Sequence, residues 1–359
     1  MRTLTIMAGG GGVRFWPESR KTRPKQFLSL DGHRSLLQEA AHRALPLFGW
    51  ERIAVVTGTE HGALTWDQLP DLPRENLFLE PAARNTAACL ALSAALWLKR
   101  DPHAVMLVTP ADHLIAPEAA FRQVVTHAFE AIEADPQAVV LLGVQPTRPA
   151  TGYGYIEVAS DSIANRASVR AFQEKPDEAT AKRFLSGQRH LWNAGIFLWR
   201  ADRFLQLVER YQPAIAHLVR QLAERAPAPW TESDQRAFTL LPSISVDHAI
   251  LEPLSHETES HLMVFPANFA WSDVGSWQAW PELWGQDTQG NTIRGPHVGM
   301  ETTNCTIQTC PDHLIATYGI EGLLIVQTPT ATLIARRDDD QAIRQLVQAI
   351  EQQTGPAWL

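Results

Sequence analysis

Short runs of apolar residues alternate with longer amphipathic segments along the first part of the chain. The runs are nearly continuous and rich in β-branched residues, which predicts strands, and the segments between them have the apolar spacing of helices. This alternation is typical of a parallel sheet covered by helices on both faces. The predicted strands are 2–7, 53–57, 77–79, 104–109 and 138–142, and the predicted helices are 35–45, 86–99 and 119–134.

The pattern changes after Thr151. Three strand-like runs ("TGYGYIEV", "VRAFQEKP" and "WNAGIFLW") predict a mixed region, and residues 203–225 have the spacing of one long helix. Beyond residue 285, short strands separated by polar turns predict an all-β appendage of stacked rungs, closed by an amphipathic helix over 339–352 with aspartates at its N-terminus. Because 359 residues exceed one ordinary core, we expect two domains, 1–284 and 285–359.

Composition narrows the class of ligand and the compartment. A net charge of −8 argues against general binding to nucleic acid or to an anionic membrane, so any bound anion needs a local cluster of cations. The three cysteines form no CxxC pair, which disfavours a disulfide framework or a zinc site and fits a reducing cytoplasm. The N-terminal apolar run is too short for a signal peptide, and the most apolar helix candidate, 87–98, is too short to span a bilayer.

Such a cluster of cations follows the first strand. The segment "GGGGVRFWPESRKTRPKQF" (9–27) combines four glycines with five cations: Arg14, Arg20, Lys21, Arg23 and Lys25. Glycine lets the backbone approach an anion closely, and arginine or lysine adds charge-assisted bonds to phosphate oxygens. The pattern lacks the Gly-Lys-Ser/Thr of a P-loop and the third glycine of a dinucleotide fingerprint. We expect this segment to hold a polyphosphate; a glycine turn with solvated cations is the alternative.

The same segment resembles the signature G-G-x-G-[ST]-R-x-W-P-x-S-R-x-x-x-P-K-Q of sugar-nucleotide pyrophosphorylases, specifically the mannose-1-phosphate guanylyltransferases. Val13 stands where that family usually has Thr, and Thr330 replaces an Asp of its later strand. The resemblance covers nearly the whole chain and implies an α/β fold: a Rossmann-like nucleotidyltransferase domain with a mostly parallel or mixed sheet, then a small β-helix-like domain. It also implies GTP and mannose 1-phosphate as substrates, Mg²⁺ as cofactor, and the short form without a fused isomerase domain.

The resemblance assigns the nucleotide and the metal to further segments. "LEPAARNTAACLAL" (79–92) resembles a family segment that lies along the base and ribose; a helix N-cap at Asn85 or Thr86 is the structural alternative. Asp112 in "VTPADHLI" is implied as a Mg²⁺ ligand. We expect His113 to be structural, because imidazole suits softer metals. Asp273 in "WSDVGSW" is implied as the second metal carboxylate, against an Asx turn. The implied nucleotide contacts are Ala8, Gly9, Gly10, Gly12, Arg14, Lys25, Glu80, Arg84, Asn85, Thr86 and Pro110.

The sugar phosphate is assigned to three strand-like segments. Gly154 leaves room for a sugar ring against backbone, although a β-bulge is the alternative. Glu174 can accept two sugar hydroxyls and Lys175 can hold the sugar's phosphate, although adjacent opposite charges are often only a solvated pair. Asn193 is placed to hydrogen-bond the sugar, and "VDHAILE" (246–252) resembles a segment that supports the sugar pocket.

The implied catalytic residues are Arg14, Lys25, Asp112, Lys175 and Asp273, which act by positioning and by electrostatic stabilisation of an in-line attack. The sequence leaves alternatives open: an enzyme for heptose 1-phosphate, one for glucose 1-phosphate with another nucleotide, or a regulatory subunit that binds nucleotide sugars without turnover. It also leaves a homodimer through the rungs open. No nucleic-acid or membrane partner is expected.

Overall fold

The computed structural model describes residues 1–10, 12–30, 32–159, 165–187, 189–226 and 230–359, without the side chains of 340 and 341. The chain divides into two compact units. Unit 1 contains Met1–Gly9, Gln38–Ala111 and Ile115–Trp271, and unit 2 contains Gly10–Leu37, Asp112–Leu114 and Ser272–Leu359. The predicted domain boundary after residue 284 stays a prediction.

Unit 1 is built on a nine-stranded sheet with the order β3-β2-β1-β4-β9-β6-β10-β8-β7. Strand β1 pairs in parallel with β2 and β4, and β2 pairs in parallel with β3. Strand β10 is parallel to β6. The expected mixed sheet is therefore confirmed, with β9 antiparallel to both β4 and β6. The strands are β1 (Arg2–Met7), β2 (Ile53–Gly58), β3 (Leu77–Glu80), β4 (Val105–Pro110), β6 (Val139–Val144), β7 (Tyr155–Val158), β8 (Ala167–Gln173), β9 (His190–Arg200) and β10 (Leu262–Pro266); β5 (Leu114–Ala116) and β11 (Ala270–Ser272) are two further short strands.

Helices pack against this sheet and share one large core with it. Trp97 and Trp199 lie in that core with no exposed surface, and the indole of Trp97 donates to Thr5 Oγ1 (3.0 Å). The helices are α1 (Leu36–Phe48), α2 (Gly62–Gln68), α3 (Asn85–Arg100), α4 (Glu118–Ala134), α5 (Glu178–Ser186), α6 (Ala201–Tyr211), α7 (Pro213–Arg225), α8 (Glu232–Thr239) and α9 (Glu252–Ser255). None of the helices in the described part of the chain is long and apolar enough to cross a membrane.

The single helix predicted over 203–225 is wrong, because the structure has two. The break falls at Gln212, which is non-helical, and Pro213 begins the second helix. Proline lacks the amide hydrogen that a continuous helix would need at this position, but it is well suited to the first helical turn.

Unit 2 contains the predicted rungs. In-register parallel pairs join β12 to β14, β14 to β16 and β13 to β15, which is the repeat of a β-helix, and β17 closes one face antiparallel to β16. Asp339 caps the last helix by accepting from the amide of Ala342 (2.9 Å), as its aspartates predicted. The elements are β12 (Thr292–Arg294), β13 (His297–Thr303), β14 (Thr306–Gln308), β15 (Ile315–Glu321), β16 (Leu323–Gln327), β17 (Thr332–Arg336), α10 (Trp280–Trp284) and α11 (Asp340–Thr354).

Candidate active site

The glycine-rich segment approaches Lys25 so closely that only glycine fits at position 12. Gly12 has φ +55°, and a Cβ built there would lie 2.6 Å from the Cβ of Lys25. Ser19 Oγ fixes this turn by donating to the Gly12 carbonyl (2.6 Å). Phe15 and Trp16, which follow the glycines, are buried in the core of unit 2. The segment is therefore an anchored turn rather than a flexible one; Gly11 lies outside the described residues.

Lys25 links the two carboxylate residues that were predicted to hold a metal. Its ammonium donates to Asp112 Oδ2 (2.7 Å) and to the main-chain oxygen of Asp273 (2.5 Å). The side chain of Lys25 is 8% exposed and that of Asp112 is 34% exposed. Unit 2 thus brings together three predicted catalytic residues that are far apart in sequence.

The environment of Asp112 suits a hard cation. Burial favours the neutral acid, but the charges of Lys25 and His113 and the hydrogen bond from Lys25 outweigh it, so the pKa of Asp112 lies below its usual value. An ionised carboxylate is the ligand that Mg²⁺ prefers. The described residues contain no group of three or more His, Cys, Asp or Glu side chains that could enclose a metal. This donor set fits an ion that keeps waters and binds substrate oxygens rather than a closed structural site.

Arg14 and the Asp273 carboxylate converge on one glycine. A Cβ built on Gly275 would lie 2.9 Å from Asp273 Oδ2 and 3.4 Å from Arg14 Nη1. Val274, which precedes this glycine, has φ +42°, a rare conformation for a β-branched residue. Backbone strain of this kind is most often retained where a site requires it.

In unit 1, several predicted nucleotide residues meet at the carboxyl edge of the parallel strands. Met7 pairs with Pro110, so Ala8 and Gly9 leave the sheet beside the end of β4. Glu80 ends β3 at the same edge, and a Cβ built on Gly9 would lie 3.7 Å from Glu80 Oε2. The Glu80 side chain is 6% exposed. Burial and, less strongly, Glu60 raise its pKa to about 7.

The alternative interpretation, that Asn85 or Thr86 is the N-cap of α3, is wrong. The N-cap of α3 is Arg84, which makes no side-chain capping bond. Asn85 has φ +61° and its side chain accepts from the next amide, while Thr86 Oγ1 accepts from the amide of Val246 (2.8 Å). The Thr86 hydroxyl therefore connects the start of α3 to the 246–252 segment, while the Asn85 side chain satisfies an amide of the first helical turn.

The predicted sugar residues form a second cluster in unit 1. The amide of Asn193 donates to the Gly154 carbonyl (2.8 Å), and a Cβ built on Gly154 would lie 2.6 Å from Glu174 Oε2. Lys175 Nζ lies 3.1 Å from Glu174 Oε1 and its side chain is 62% exposed, so the ammonium is accessible to an anion. Lys175 also has a positive φ (+43°). A Cβ on Gly154 would also lie 2.9 Å from the buried ring of Phe172, so close packing favours glycine at this position.

Asp247 belongs to this cluster, although sequence reasoning assigned it no role of its own. Its Oδ1 accepts from Asn193 Nδ2 (2.8 Å), and it begins a π-helical turn, Asp247–Leu251. Burial and the nearby charge of Glu174 raise its pKa to about 6. The sequence pointed to Asp247 through its position in the "VDHAILE" motif, but no local pattern predicts a contact between positions 247 and 193. π-Helical turns often occur at functional sites.

The sequence matches the family described as "Nucleotidyl transferase" over residues 4–290, and a "MannoseP isomerase/GMP-like beta-helix domain" over 295–350. The chain belongs to the Nucleotidyl transferase family. The family and the fold class implied by the glycine-rich signature are therefore confirmed for this nucleotidyl transferase.

Named relatives resemble the chain along almost its full length. A Xanthan biosynthesis protein XanB of Xanthomonas campestris pv. campestris (strain B100) is 37% identical over 96% of this chain and 72% of its own length. A mannose-1-phosphate guanylyltransferase of Escherichia coli (strain K12) is 36% identical over 96% of this chain and 73% of its own. A crystal structure described as mannose-1-phosphate geranyltransferase from Thermus thermophilus has a TM-score of 0.85 at 31% identity, covering 98% of this chain and 99% of that one.

Proposed function

We propose that this nucleotidyl transferase is a mannose-1-phosphate guanylyltransferase, which converts GTP and mannose 1-phosphate to GDP-mannose and pyrophosphate. The observation that carries the proposal is the Lys25 ammonium held between Asp112 and the main-chain oxygen of Asp273, beside Gly12, where no side chain fits. The names of the relatives supply the sugar and the base. The cysteine usage of the chain, without a CxxC pair, favours a cytoplasmic enzyme.

Two sets of residues would bind GTP. Arg14 and Lys25, with the backbone of Gly10 and Gly12, would hold the triphosphate, because clustered cations and accessible amides suit phosphate oxygens. The buried Glu80 carboxyl and the polar groups at the start of α3 would contact the base and ribose. Ala8, Gly9 and Pro110 would border the nucleotide at the carboxyl edge of the sheet, where ligands of α/β folds bind.

Asp112 and Asp273 would hold Mg²⁺. The ion would supply charge stabilisation on the phosphate oxygens of the substrates. Asp112 is suited to this role because Lys25 keeps its carboxyl ionised. Lys25 itself would add a positive charge beside the proposed metal ligands.

Mannose 1-phosphate would bind to the cluster around Glu174. The glutamate would accept hydrogen bonds from sugar hydroxyls, Asn193 would add a polar contact, and the ring would lie against Gly154. The exposed ammonium of Lys175 would hold the phosphate and direct its oxygen. Asp247 orients Asn193 and is a positioning residue rather than a catalytic one.

The chemistry needs no protein nucleophile. A phosphate monoester is largely ionised near neutral pH, its second pKa being about 6, so its oxygen can attack directly. That oxygen forms a bond to the α-phosphorus of GTP in line with the bridging oxygen to the β-phosphorus. The α-phosphorus–oxygen bond breaks and pyrophosphate leaves with the electron pair. Arg14 and Lys25 would stabilise the charge that develops on the departing group.

The test is product analysis with GTP, mannose 1-phosphate and Mg²⁺. We expect GDP-mannose and pyrophosphate in equal amounts, and no product in the presence of excess EDTA. Tight binding of GDP-mannose without turnover would instead identify a regulatory subunit, and a stronger reaction with heptose 1-phosphate or glucose 1-phosphate would change the substrate.

A further inference from the structure

A pocket in unit 2 is lined by Arg14 and by three further cations to which the proposed function gives no role. Its volume is about 470 Å³, and it lies between the glycine-rich segment and α11. Cations from both sides line it: Arg14, Arg20 and Lys21 from the segment, and Arg344 from the helix. The lining also contains one acidic side chain, Glu351, and Leu359, the last residue of the sequence.

The walls of this pocket are fixed by packing and hydrogen bonds. Trp16 donates its indole N–H to the main-chain oxygen of Trp358 (2.8 Å), which ties the segment to the chain that follows α11. Ile343 and Val347 bury one face of α11 in the same core that contains Trp16. The pocket is therefore a built feature of unit 2 rather than a gap between loose surface side chains.

The charge of the lining suits a compact polyanion. Four cationic side chains and one acidic side chain line the pocket in a chain whose net charge is −8, so the positive charge is local. Lys21 and Glu351 form an ion pair (2.5 Å) at one side of the pocket, with both side chains about half exposed. An anion that entered would gain attraction from the cations and meet repulsion from Glu351.

We propose that this pocket receives pyrophosphate as it leaves the reaction. The inference rests on the proposed function, and it assigns Arg20, Lys21 and Arg344 as ligands of the product. Arg14 lines the pocket and would also hold the triphosphate, so it is shared by the bound substrate and the departing group. When the α-phosphorus–oxygen bond breaks, its electron pair stays on pyrophosphate. The charged product then moves from Arg14 towards the other three cations.

The experiment measures the reverse reaction, from GDP-mannose and pyrophosphate at fixed Mg²⁺. Arg344→Gln removes one cation from the lining, and we expect KM for pyrophosphate to rise about 3- to 10-fold, as for loss of a partly exposed charge-assisted contact. Glu351→Gln removes the repulsive carboxylate and leaves Lys21 charged, so KM for pyrophosphate should fall about 2- to 5-fold. Arg336→Gln is the matched control, because Arg336 is an arginine of unit 2 that does not line this pocket.

Three further results decide the assignment. KM for GDP-mannose should stay within about 2-fold in all three variants, because the pocket would bind only the small product. Added pyrophosphate should inhibit the forward reaction less strongly in Arg344→Gln than in wild type; equal inhibition of the two proteins would overturn the proposal. Equal KM values for pyrophosphate in Arg344→Gln and Arg336→Gln would also overturn it.

The binding of pyrophosphate can be measured without turnover. Isothermal titration calorimetry with pyrophosphate and Mg²⁺ should show weaker binding to Arg344→Gln than to wild type. If wild type binds pyrophosphate through Arg344 but makes no GDP-mannose, the proposed function fails while the pocket assignment holds. If wild type makes GDP-mannose and Arg344→Gln is unchanged in both assays, only the pocket assignment fails.

Discussion

The ammonium of Lys25 lies 2.7 Å from Asp112 Oδ2, in a pair whose lysine is almost fully buried. A buried charge of this kind is tolerated when it is paired and hydrogen-bonded, and the main-chain oxygen of Asp273 supplies the additional bond. One side chain thus stabilises the ionised form of the proposed metal ligand and adds positive charge beside it.

Lys25→Ala should reduce kcat for GDP-mannose formation at least about a hundredfold, or about 2.7 kcal/mol of transition-state stabilisation. The cause is loss of the charge that stabilises departing pyrophosphate. Lys182→Ala is the control, because Lys182 is an exposed lysine on α5 that pairs with Glu178 in its own helix. Steady-state kinetics with both substrates saturating measures the effect. A Lys25→Ala rate equal to that of the control would remove Lys25 from the mechanism.

Asp112→Asn should weaken the affinity of the enzyme for Mg²⁺. An amide is a poorer ligand for Mg²⁺ than a carboxylate, so half-maximal activity should require at least about tenfold more Mg²⁺. Asp67→Asn, on the exposed surface of α2, is the matched control. The measurement is a Mg²⁺ titration of the initial rate. An unchanged titration curve for Asp112→Asn would show that the ion binds elsewhere.

Glu174→Ala should chiefly weaken binding of the sugar phosphate, with a rise in KM for mannose 1-phosphate of roughly tenfold or more, because hydrogen bonds to a charged group are lost. KM for GTP should change little. The same substitution should lower the pKa of Asp247, since the Glu174 charge contributes to raising it. A normal KM for mannose 1-phosphate is the outcome that excludes Glu174 from the sugar site.

Glu80 should make stability depend on pH. Its folded-state pKa of about 7 lies above the ordinary 4.5, so the folded protein keeps this proton up to about pH 7 while the unfolded chain releases it near pH 4.5. The associated stability is complete below pH 4.5 and is lost as the pH rises to 7, by up to roughly 3 kcal/mol. Glu80→Gln lacks this titrating group. Its free energy of unfolding should therefore rise relative to that of wild type as the pH increases from 4.5 to 7. Thermal melts of both proteins at pH 4.5 and pH 8 measure this; a constant difference in Tm would contradict it.

Local sequence predicted the elements better than their directions or their partners. The runs at 53–57 and 104–109 form parallel strands as expected, because buried parallel strands are continuously apolar. The run that contains Asn193 is also apolar, yet it inserts antiparallel between β4 and β6, and periodicity carries no information on strand direction. The helix break at Gln212 could have been predicted from the proline that follows it, Pro213.

In the candidate site, too, the sequence identified residues but not their contacts with distant residues. The motif around Lys25 identified it from neighbouring residues, but its contact with Asp112 spans 87 positions and follows only from the fold. By its position Thr86 was a candidate helix cap, but its hydroxyl instead accepts a hydrogen bond from the main-chain amide of Val246. Asp247 was visible only as part of a motif, because its contact with Asn193 joins two distant segments.

The most direct test of the account is kcat/KM for pyrophosphate release over a grid of nucleoside triphosphates and sugar 1-phosphates, each with and without Mg²⁺. We expect the highest value for GTP with mannose 1-phosphate, and loss of release for every pair when Mg²⁺ is removed. A higher value for another pair, or no release from any pair, would contradict the proposed function.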